Sequence, residues 1–298
     1  MASVFTTEKW IRHISNINPS YKALHFTLDD EEVWLCEIKR YSIGLWYLYG
    51  EISVQQFRQL KAIARKEGAD VIESTFHGSR WTDESLLEEV DLHSDYGTYQ
   101  IDLTQDVDTL FKGLSRNHRQ NLKKAQNGDI QICDLYSPED FPAIMDETYG
   151  SSSSHNYSQT FFESLQQNLN EQLIVRTATD RDSKVIGFVL FVTDGTIAFA
   201  LIRGQQRDAP RGTGQFLMWE SLKYLKSKGI GTFDWCGARK STEDQRLAGI
   251  SRFKKEFGGE YLDCYYHITG ISTLKYRAFI FLRKLHSWIH HRQWAIFR

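Results

Sequence analysis

The chain has 298 residues, 41% of them hydrophobic and 25% charged, a balance that fits a folded globular protein and excludes collagen-like, disordered and low-complexity classes. Its length predicts two domains or one large one. The longest apolar run, residues 187–192, ends at Thr193-Asp194, short of the roughly 20 residues a membrane-crossing helix needs, and residues 1–8 lack the basic and apolar stretches of a secretory leader. A cytoplasmic protein is the expectation. Cys36, Cys133, Cys236 and Cys264 stand singly, without zinc-site spacing, which predicts free thiols and no metal. The net charge of −2 hides an asymmetry: residues 1–111 hold 10 Lys+Arg against 19 Asp+Glu, whereas residues 112–298 hold 26 against 19. A basic second half suits an anionic partner such as nucleic acid, phosphate or a membrane surface, although two halves attracting each other would give the same split.

In chain order, residues 21–28 and 33–38 flank an acidic turn and predict a hairpin, followed by a third strand at 44–49. A helix is expected over 53–67, with Phe57, Leu60, Ile63 and Ala64 on one stripe and Gly68 as its stop; a strand at 69–74 follows. The second half repeats the order. Strands at 172–179, 185–193 and 196–202 lead through a loop at 203–211 into a helix over 212–228, stopped by Gly229, and then a strand at 231–236. This echo argues for a duplicated unit. Between the copies, residues 104–127 read as one helix with Val107, Leu110, Phe111, Leu114, Leu122 and Ala125 inward and Gly128 as its stop. Two more helices are expected at 138–149 and 158–169, around a soft loop at 150–154. The C-terminal stretch 272–289 places Leu274, Ala278, Phe281, Leu282, Leu285, Trp288 and Ile289 on a helical stripe whose first reading is a core or domain-interface face.

Four stretches could carry chemistry. The loop Arg207-Asp208-Ala209-Pro210-Arg211-Gly212-Thr213-Gly214-Gln215 precedes a helix, and its glycines let backbone N–H groups approach an anion. It lacks the P-loop lysine, which excludes nucleotide hydrolysis of that type. Arg211, Gly212, Thr213 and Gly214 are the candidate donor-phosphate contacts; a glycine turn that merely starts a helix is the alternative. In 112–124, Arg116, Arg119 and Lys123 share one helix face with no acid nearby, a second candidate phosphate surface or simply a solvated face. The segment 249–260 contains Arg252-Phe253-Lys254-Lys255 and follows Phe233-Asp234-Trp235-Cys236-Gly237. The fourth is 272–298, basic and aromatic, with Lys275, Arg277, Arg283, Lys284, Arg292 and Arg298 and no acid. It could lie on anionic lipid, touch RNA or cover a domain interface, and the ending Trp294-Ala295-Ile296-Phe297-Arg298 is hard to bury. His118 reads as a helix-surface residue, and His290-His291 suggest no ligand set.

The residues 207–215 resemble the pyrophosphate loop of GNAT acyltransferases, with Ala209 at the position that usually holds Gln or Arg. The run 114–125, then Met218-Trp219-Glu220-Ser221-Leu222, then 233–237, then Arg252-Phe253-Lys254-Lys255-Glu256-Phe257-Gly258-Gly259 together resemble the Fem-type aminoacyltransferases. The first half matches by architecture only. The resemblance implies an α/β (α+β) fold of two tandem GNAT-like domains, with mixed, mostly antiparallel sheets flanked by helices, here 1–103 and a catalytic 104–298. It implies amide formation between an activated aminoacyl group and an amine of a peptide-like or peptidoglycan-precursor acceptor, with aminoacyl-tRNA as donor and no tightly bound cofactor. It also places Phe253 and Lys254 at the reacting centre; Arg252, Trp235 and Arg203 are further candidate substrate contacts.

A fixed ammonium beside a carbonyl stabilises the charge that develops on oxygen under amine attack, and such chemistry needs no nucleophile–base pair. None of the serine, cysteine or zinc hydrolase signatures occurs. Asp234, at the end of an expected central strand, could orient or deprotonate the amine, or could cap the Gly237 turn. The helical hairpin that some Fem-type members use to contact tRNA is absent, so acyl-CoA or a carrier-protein thioester stands beside aminoacyl-tRNA as donor. A non-catalytic peptide- or RNA-binding module remains the alternative from a different class.

Overall fold

The computed structural model describes residues 3–74, 81–126, 129–150, 157–239, 242 and 245–291. The expected stop at Gly128, the loop at 151–154, Arg292, Arg298 and the ending 294–298 lie outside the described residues, as do the side chains of His290 and His291. The chain divides into two compact units, Met1–Tyr96 with Asp263–Arg298, and Gly97–Leu262. This division differs from the expected boundary after 103, because the C-terminal segment returns to the first unit. Ile271 N–H and Ser272 N–H donate to Asp70 O, and Lys275 and Arg283 pair with Asp70 and Glu73.

The first unit opens with helix α1 (Glu8–Ile17) and runs through β1 (Lys22–Leu28), β2 (Glu31–Arg40), β3 (Ile43–Leu48), α2 (Val54–Glu67) and β4 (Val71–Ser74). It begins β5 (Leu92–Asp102), ends β11 (Glu260–Gly270) and closes on α9 (Thr273–His291). Its strands lie in the order β1-β2-β3-β4-β11, antiparallel except for the β3/β4 pair. Both hairpins turn on two residues in the left-handed region, Asp29-Asp30 and Tyr41-Ser42, the geometry that matches the twist of the strands. A parallel pair needs a crossover, and α2 supplies it. Ser53 and Gln56 close its N-terminus as a capping box, and Gly68, at φ 77°, ends it in the left-handed conformation. Phe57, Leu60 and Ala64 of α2 pack on Leu35, Trp46, Leu48 and Ile72, as the sequence stripe predicts.

The stripe expected to bury α9 faces outward instead: Leu274 is 80% exposed, Phe281 56% and Ile289 54%. The helix seats Tyr276, Phe279 and Ile280 against Ile38, Ile43, Leu45, Val71 and Ile268, and its inward ion pairs fix that rotation.

The second unit contains the remainder of β5, α3 (Val107–Gly113), α4 (Arg116–Gln126), β6 (Gln131–Cys133), α5 (Phe141–Tyr149), α6 (Gln159–Leu169), β7 (Leu173–Thr179), β8 (Val185–Thr193), β9 (Ile197–Gln205), α7 (Thr213–Ser227), β10 (Thr232–Asp234) and α8 (Gln245–Lys255). The strand order is β5-β10-β9-β8-β7-β6, and only β9 and β10 run parallel. Every residue of β8 is buried, as both faces are covered by helices and loops. Leu217, Met218, Leu222 and Leu225 of α7 pack in one core with Leu114, Leu122, Phe191 and Phe233.

The single helix expected over 104–127 is two. Leu114 takes an extended conformation, Ser115 N–H donates to Glu256 O at 2.8 Å, and Val107 is exposed rather than inward. Strand β9 also runs to Gln205, so Arg203 lies on a strand and not in the following loop.

Candidate functional site

Strands β9 and β10 pair only from Ile197↔Thr232 to Phe199↔Asp234. Beyond that point β9 continues to Gln205 while the other chain turns away through Trp235, Cys236 and Gly237. Two side chains of α5 close part of the freed β9 edge. Thr148 Oγ1 accepts from Gln205 N–H at 2.9 Å, and Tyr149 donates its hydroxyl to Arg203 O at 3.4 Å. The parting leaves a cavity of about 310 Å³ lined by Tyr149, Tyr157, Arg203, Trp235, Phe253 and Lys254, with Thr148, Val189, Ala200–Ile202 and Ile250 completing the wall.

Lys254 stands in the last turn of α8. Its ammonium donates to Trp235 O at 3.0 Å and to Gly237 O. Those carbonyls are aimed by an unusual turn in which Cys236 (φ 51°) and Gly237 (φ 131°) both occupy the left-handed half of backbone space. Asp234 builds that turn. Its carboxylate is completely buried and accepts from Cys236 N–H at 2.7 Å and Thr98 Oγ1 at 2.9 Å, while Gly237 N–H donates to the same threonine oxygen. The two residues named as candidate catalysts are thus joined through the turn, with Lys254 on the cavity wall and Asp234 beneath it. Burial pushes the Lys254 pKa down to about 8; Cys236 and Asp234 act to raise it, and the charge of Arg203 lowers it. At neutral pH it remains an ammonium. With two of its three N–H bonds given to carbonyls, one donor is left for a ligand.

Arg203 lays its guanidinium 4.1 Å over the Phe253 ring, and burial pulls its pKa down. Phe253 also walls a second cavity of about 440 Å³, lined by Asn117, His118, Gln215, Gly249, Arg252 and Glu256. Arg252 therefore serves that cavity and not the one holding Lys254. His118 corrects its surface reading. It is 2% exposed, 2.9 Å from Glu256 Oε2, and burial lowers its pKa despite that carboxylate. Its place in the sequence, four residues before Leu122 and seven before Ala125, was the available signal.

The glycine loop behaves differently from the expectation. Gly212, at φ 95°, is required because α4 passes so close that a Cβ there would stand 2.4 Å from Asn121 O. The turn before it is held by Thr213, whose N–H and hydroxyl both donate to Pro210 O. The helix α7 begins with no side-chain cap, leaving first-turn N–H groups open. Arg211 is exposed, and the cavity beside Ala209 and Pro210 carries Asp129, Asp180, Asp182 and Asp208 against Arg181 and Lys184. On the basic helix, Arg119 spends its guanidinium on Lys112 O and Leu114 O, capping α3; Arg116 and Lys123 are exposed, and none of the three lines the Lys254 cavity. Tyr149 and Tyr157 had no local signal in the sequence, since only the fold brings them to the cavity. Among the described residues no group of acidic, histidine or cysteine side chains could hold a metal ion, and no helix is long and apolar enough to cross a membrane.

No family model and no curated protein sequence matches this chain. In structure it is similar to FemX, with a TM-score of 0.76 at 13% identity over 93% of this chain and 94% of that one. It is also similar to L-PGS from Bacillus licheniformis (TM-score 0.59, 12% identity, 83% and 84% covered). A third likeness is to a tandem GNAT protein from the clavulanic acid biosynthesis pathway (0.51, 9%, 85% and 84%). At these identities the likeness establishes the fold alone: an α/β architecture similar to those of FemX and of that tandem GNAT protein.

Proposed function

We propose that the second unit is an N-acyltransferase, joining an activated acyl or aminoacyl group to an amine of a peptide-like acceptor. The observation that carries this reading is the Lys254 ammonium, held on two carbonyls with one N–H left for the cavity where β9 and β10 part. The amine nitrogen attacks the donor carbonyl, and the charge that gathers on oxygen is met by that remaining N–H. Attack forms the C–N bond; collapse of the adduct re-forms the C=O bond and breaks the C–O or C–S bond to the donor, and the amine proton passes to the departing oxygen or sulfur. Asp234 positions Lys254 by shaping the 235–237 turn. The test is mass spectrometry of a cell extract incubated with the protein, total tRNA and labelled amino acids. Lys254→Met is expected to abolish new amide product; unchanged product formation would instead favour a binding module.

Aminoacyl-tRNA is the first donor reading, supported by the fold shared with FemX and by the basic composition after residue 111. Acyl-CoA or a carrier thioester is the second, favoured by one observation: no described residue lining the cavity is acidic, so the α-ammonium of an aminoacyl group finds no carboxylate there. RNase treatment abolishes transfer from the first donor and spares the second.

The same reading places the protein in the cytoplasm at a membrane surface. Helix α9 exposes Leu274, Phe281, Leu282, Trp288 and Ile289 beside the exposed Arg277 and the half-buried Lys284, with no acid in its length, a face suited to anionic lipid. Co-sedimentation with phosphatidylglycerol vesicles, absent with phosphatidylcholine and lost in Leu274→Glu/Ile289→Glu, is the expected result; equal binding to both lipids counts against it.

A further inference from the structure

The cavity holds a second cation that oxyanion stabilisation does not require. Arg203 is the one member of its surroundings whose charge is left unanswered: among the described residues its guanidinium makes no hydrogen bond and no ion pair. Three other arginines removed in part from solvent are matched. Arg119 has two carbonyls, Arg176 has Asp134 and Arg283 has Glu73. Arg203 has only the face of Phe253.

Its other neighbour makes matters worse. A Cβ on Gly214 would stand 3.2 Å from Arg203 Nη1 and 2.7 Å from Gln205 Oε1, so the guanidinium uses the space a side chain would take at the first turn of α7. That is the positive end of a 15-residue helix, and its cap, Gly212, brings no oxygen to offset it. Lys254 adds a third source of positive potential in the same cavity. Withdrawing a guanidinium from water without an anion costs free energy; in the first unit even the partly exposed Lys275 and Arg283 each meet a buried carboxylate.

We infer that Arg203 is the receptor for a carboxylate on the molecule whose carbonyl faces Lys254, and that the cavity rejects a cationic group such as a lysyl side chain. A guanidinium stacked on a ring keeps its edge free, and that edge matches two coplanar carboxylate oxygens. With the Lys254 ammonium facing the carbonyl oxygen, the planar fork of Arg203 is left to pair with the two coplanar oxygens of a carboxylate. The inference rests on the acyl-transfer reading only for which substrate brings the carboxylate: the group transferred, or the amine-bearing acceptor.

Calorimetric titration separates these sources. The side-chain series N-acetylglutamate amide, N-acetylglutamine amide and N-acetyllysine amide represents the transferred group; glycine against glycinamide represents the acceptor. In one series the carboxylate member is expected to bind at least about tenfold more tightly than its amide partner, with the lysine compound weakest. The preference should vanish in Arg203→Met and shrink in Arg203→Lys, which keeps the charge and loses the fork. Without ligand, Arg203→Met is expected to melt at a higher temperature than the wild type, because an unmatched charge has been removed. Equal affinities within both series, no saturable carboxylate binding at tens of millimolar, tighter binding of inorganic phosphate or of the lysine compound, or a lowered melting temperature or failure to fold in Arg203→Met each overturns the inference. Because the readouts are binding and melting, they stand whether or not Lys254→Met abolishes transfer.

Discussion

The two units repeat one plan and finish it differently. Each places three antiparallel strands beside a helix and a parallel strand: β1-β2-β3, α2, β4 in the first and β7-β8-β9, α7, β10 in the second, with an antiparallel strand beyond, β11 or β5. In the first unit the crossover helix is closed by the Ser53–Gln56 capping box, and the buried acids Asp70 and Glu73 meet Lys275 and Arg283. In the second, the corresponding helix starts on an uncapped glycine, and the nearby Arg203 meets no acid. In the first unit two cations meet buried carboxylates, whereas in the second Arg203 and Lys254 face a cavity whose wall holds no acid among the described residues. Local rules broken in one copy and kept in the other mark where a ligand completes the structure. The contrast supports the proposed placing of the chemistry in the second unit.

Lys254→Met is the largest expected break in this contrast. Removing a preorganised donor from a developing oxyanion costs on the order of 10²–10³ in turnover. Circular dichroism should show the fold intact and the thermal midpoint no lower, since a desolvated charge has been removed. A variant that loses activity and stability together would make Lys254 part of the framework, and the two units would then no longer differ in kind.

The pH profile sharpens the same point with a smaller effect. Lys254 titrates at about 8, below its ordinary 10.5, because burial disfavours the charged form. The ammonium proposed to act in catalysis is thus present below pH 8 and lost above it. The limiting rate of the wild type should decline by about tenfold per pH unit on the alkaline side. That decline should be absent from the residual rate of Lys254→Met. The stability consequence has the opposite sense: between pH 8 and 10.5 the unfolded chain holds a proton the folded one has released, so this residue favours folding more as pH rises.

What could be read from the sequence follows the range of the forces involved. The α2 and α7 helices were legible because stripe, cap and terminal glycine are local, as at Phe57, Leu60, Ala64 and Gly68. The break at Leu114-Ser115 was not, although Gly113 precedes it, because Leu110, Leu114 and Leu122 carry the apolar stripe across it; Glu256 O and the Arg119 guanidinium hold the two helix ends. Strands β5 and β11 escaped because Leu92–Asp102 and Glu260–Gly270 mix polar and aromatic residues, and their pairing is long-range. For α9 the apolar period was correct and its orientation was reversed, because periodicity does not say which face Asp70 and Glu73 will draw inward. In the site, Phe253 and Lys254 were named through resemblance, and Asp234 was placed on the right strand end. Arg203 was named too, but the property that gives it meaning, a missing partner, belongs to no residue alone and exists only once every neighbour is in place.

The first unit offers the smallest and most selective test. His267, on β11, is fully buried, packed against Trp81 at 4.1 Å and Phe57 at 5.1 Å, and neither ring nitrogen has a partner among the described residues. Burial pushes its pKa down to about 3 from 6.5. Between those values the unfolded chain binds a proton that the folded chain refuses, so stability falls as pH drops below 6.5 and goes on falling to about pH 3. At pH 5 the loss from this residue is about 2 kcal/mol. His267→Phe keeps the ring contacts and removes the titration. Urea unfolding at pH 7 and pH 5 should show the variant at least as stable as the wild type at the higher pH and less sensitive to the shift by roughly that amount. Transfer activity at pH 7 should be unchanged. If His267→Phe instead alters transfer while leaving acid sensitivity as it was, the first unit takes part in the chemistry, and the proposed confinement of that chemistry to the second unit fails.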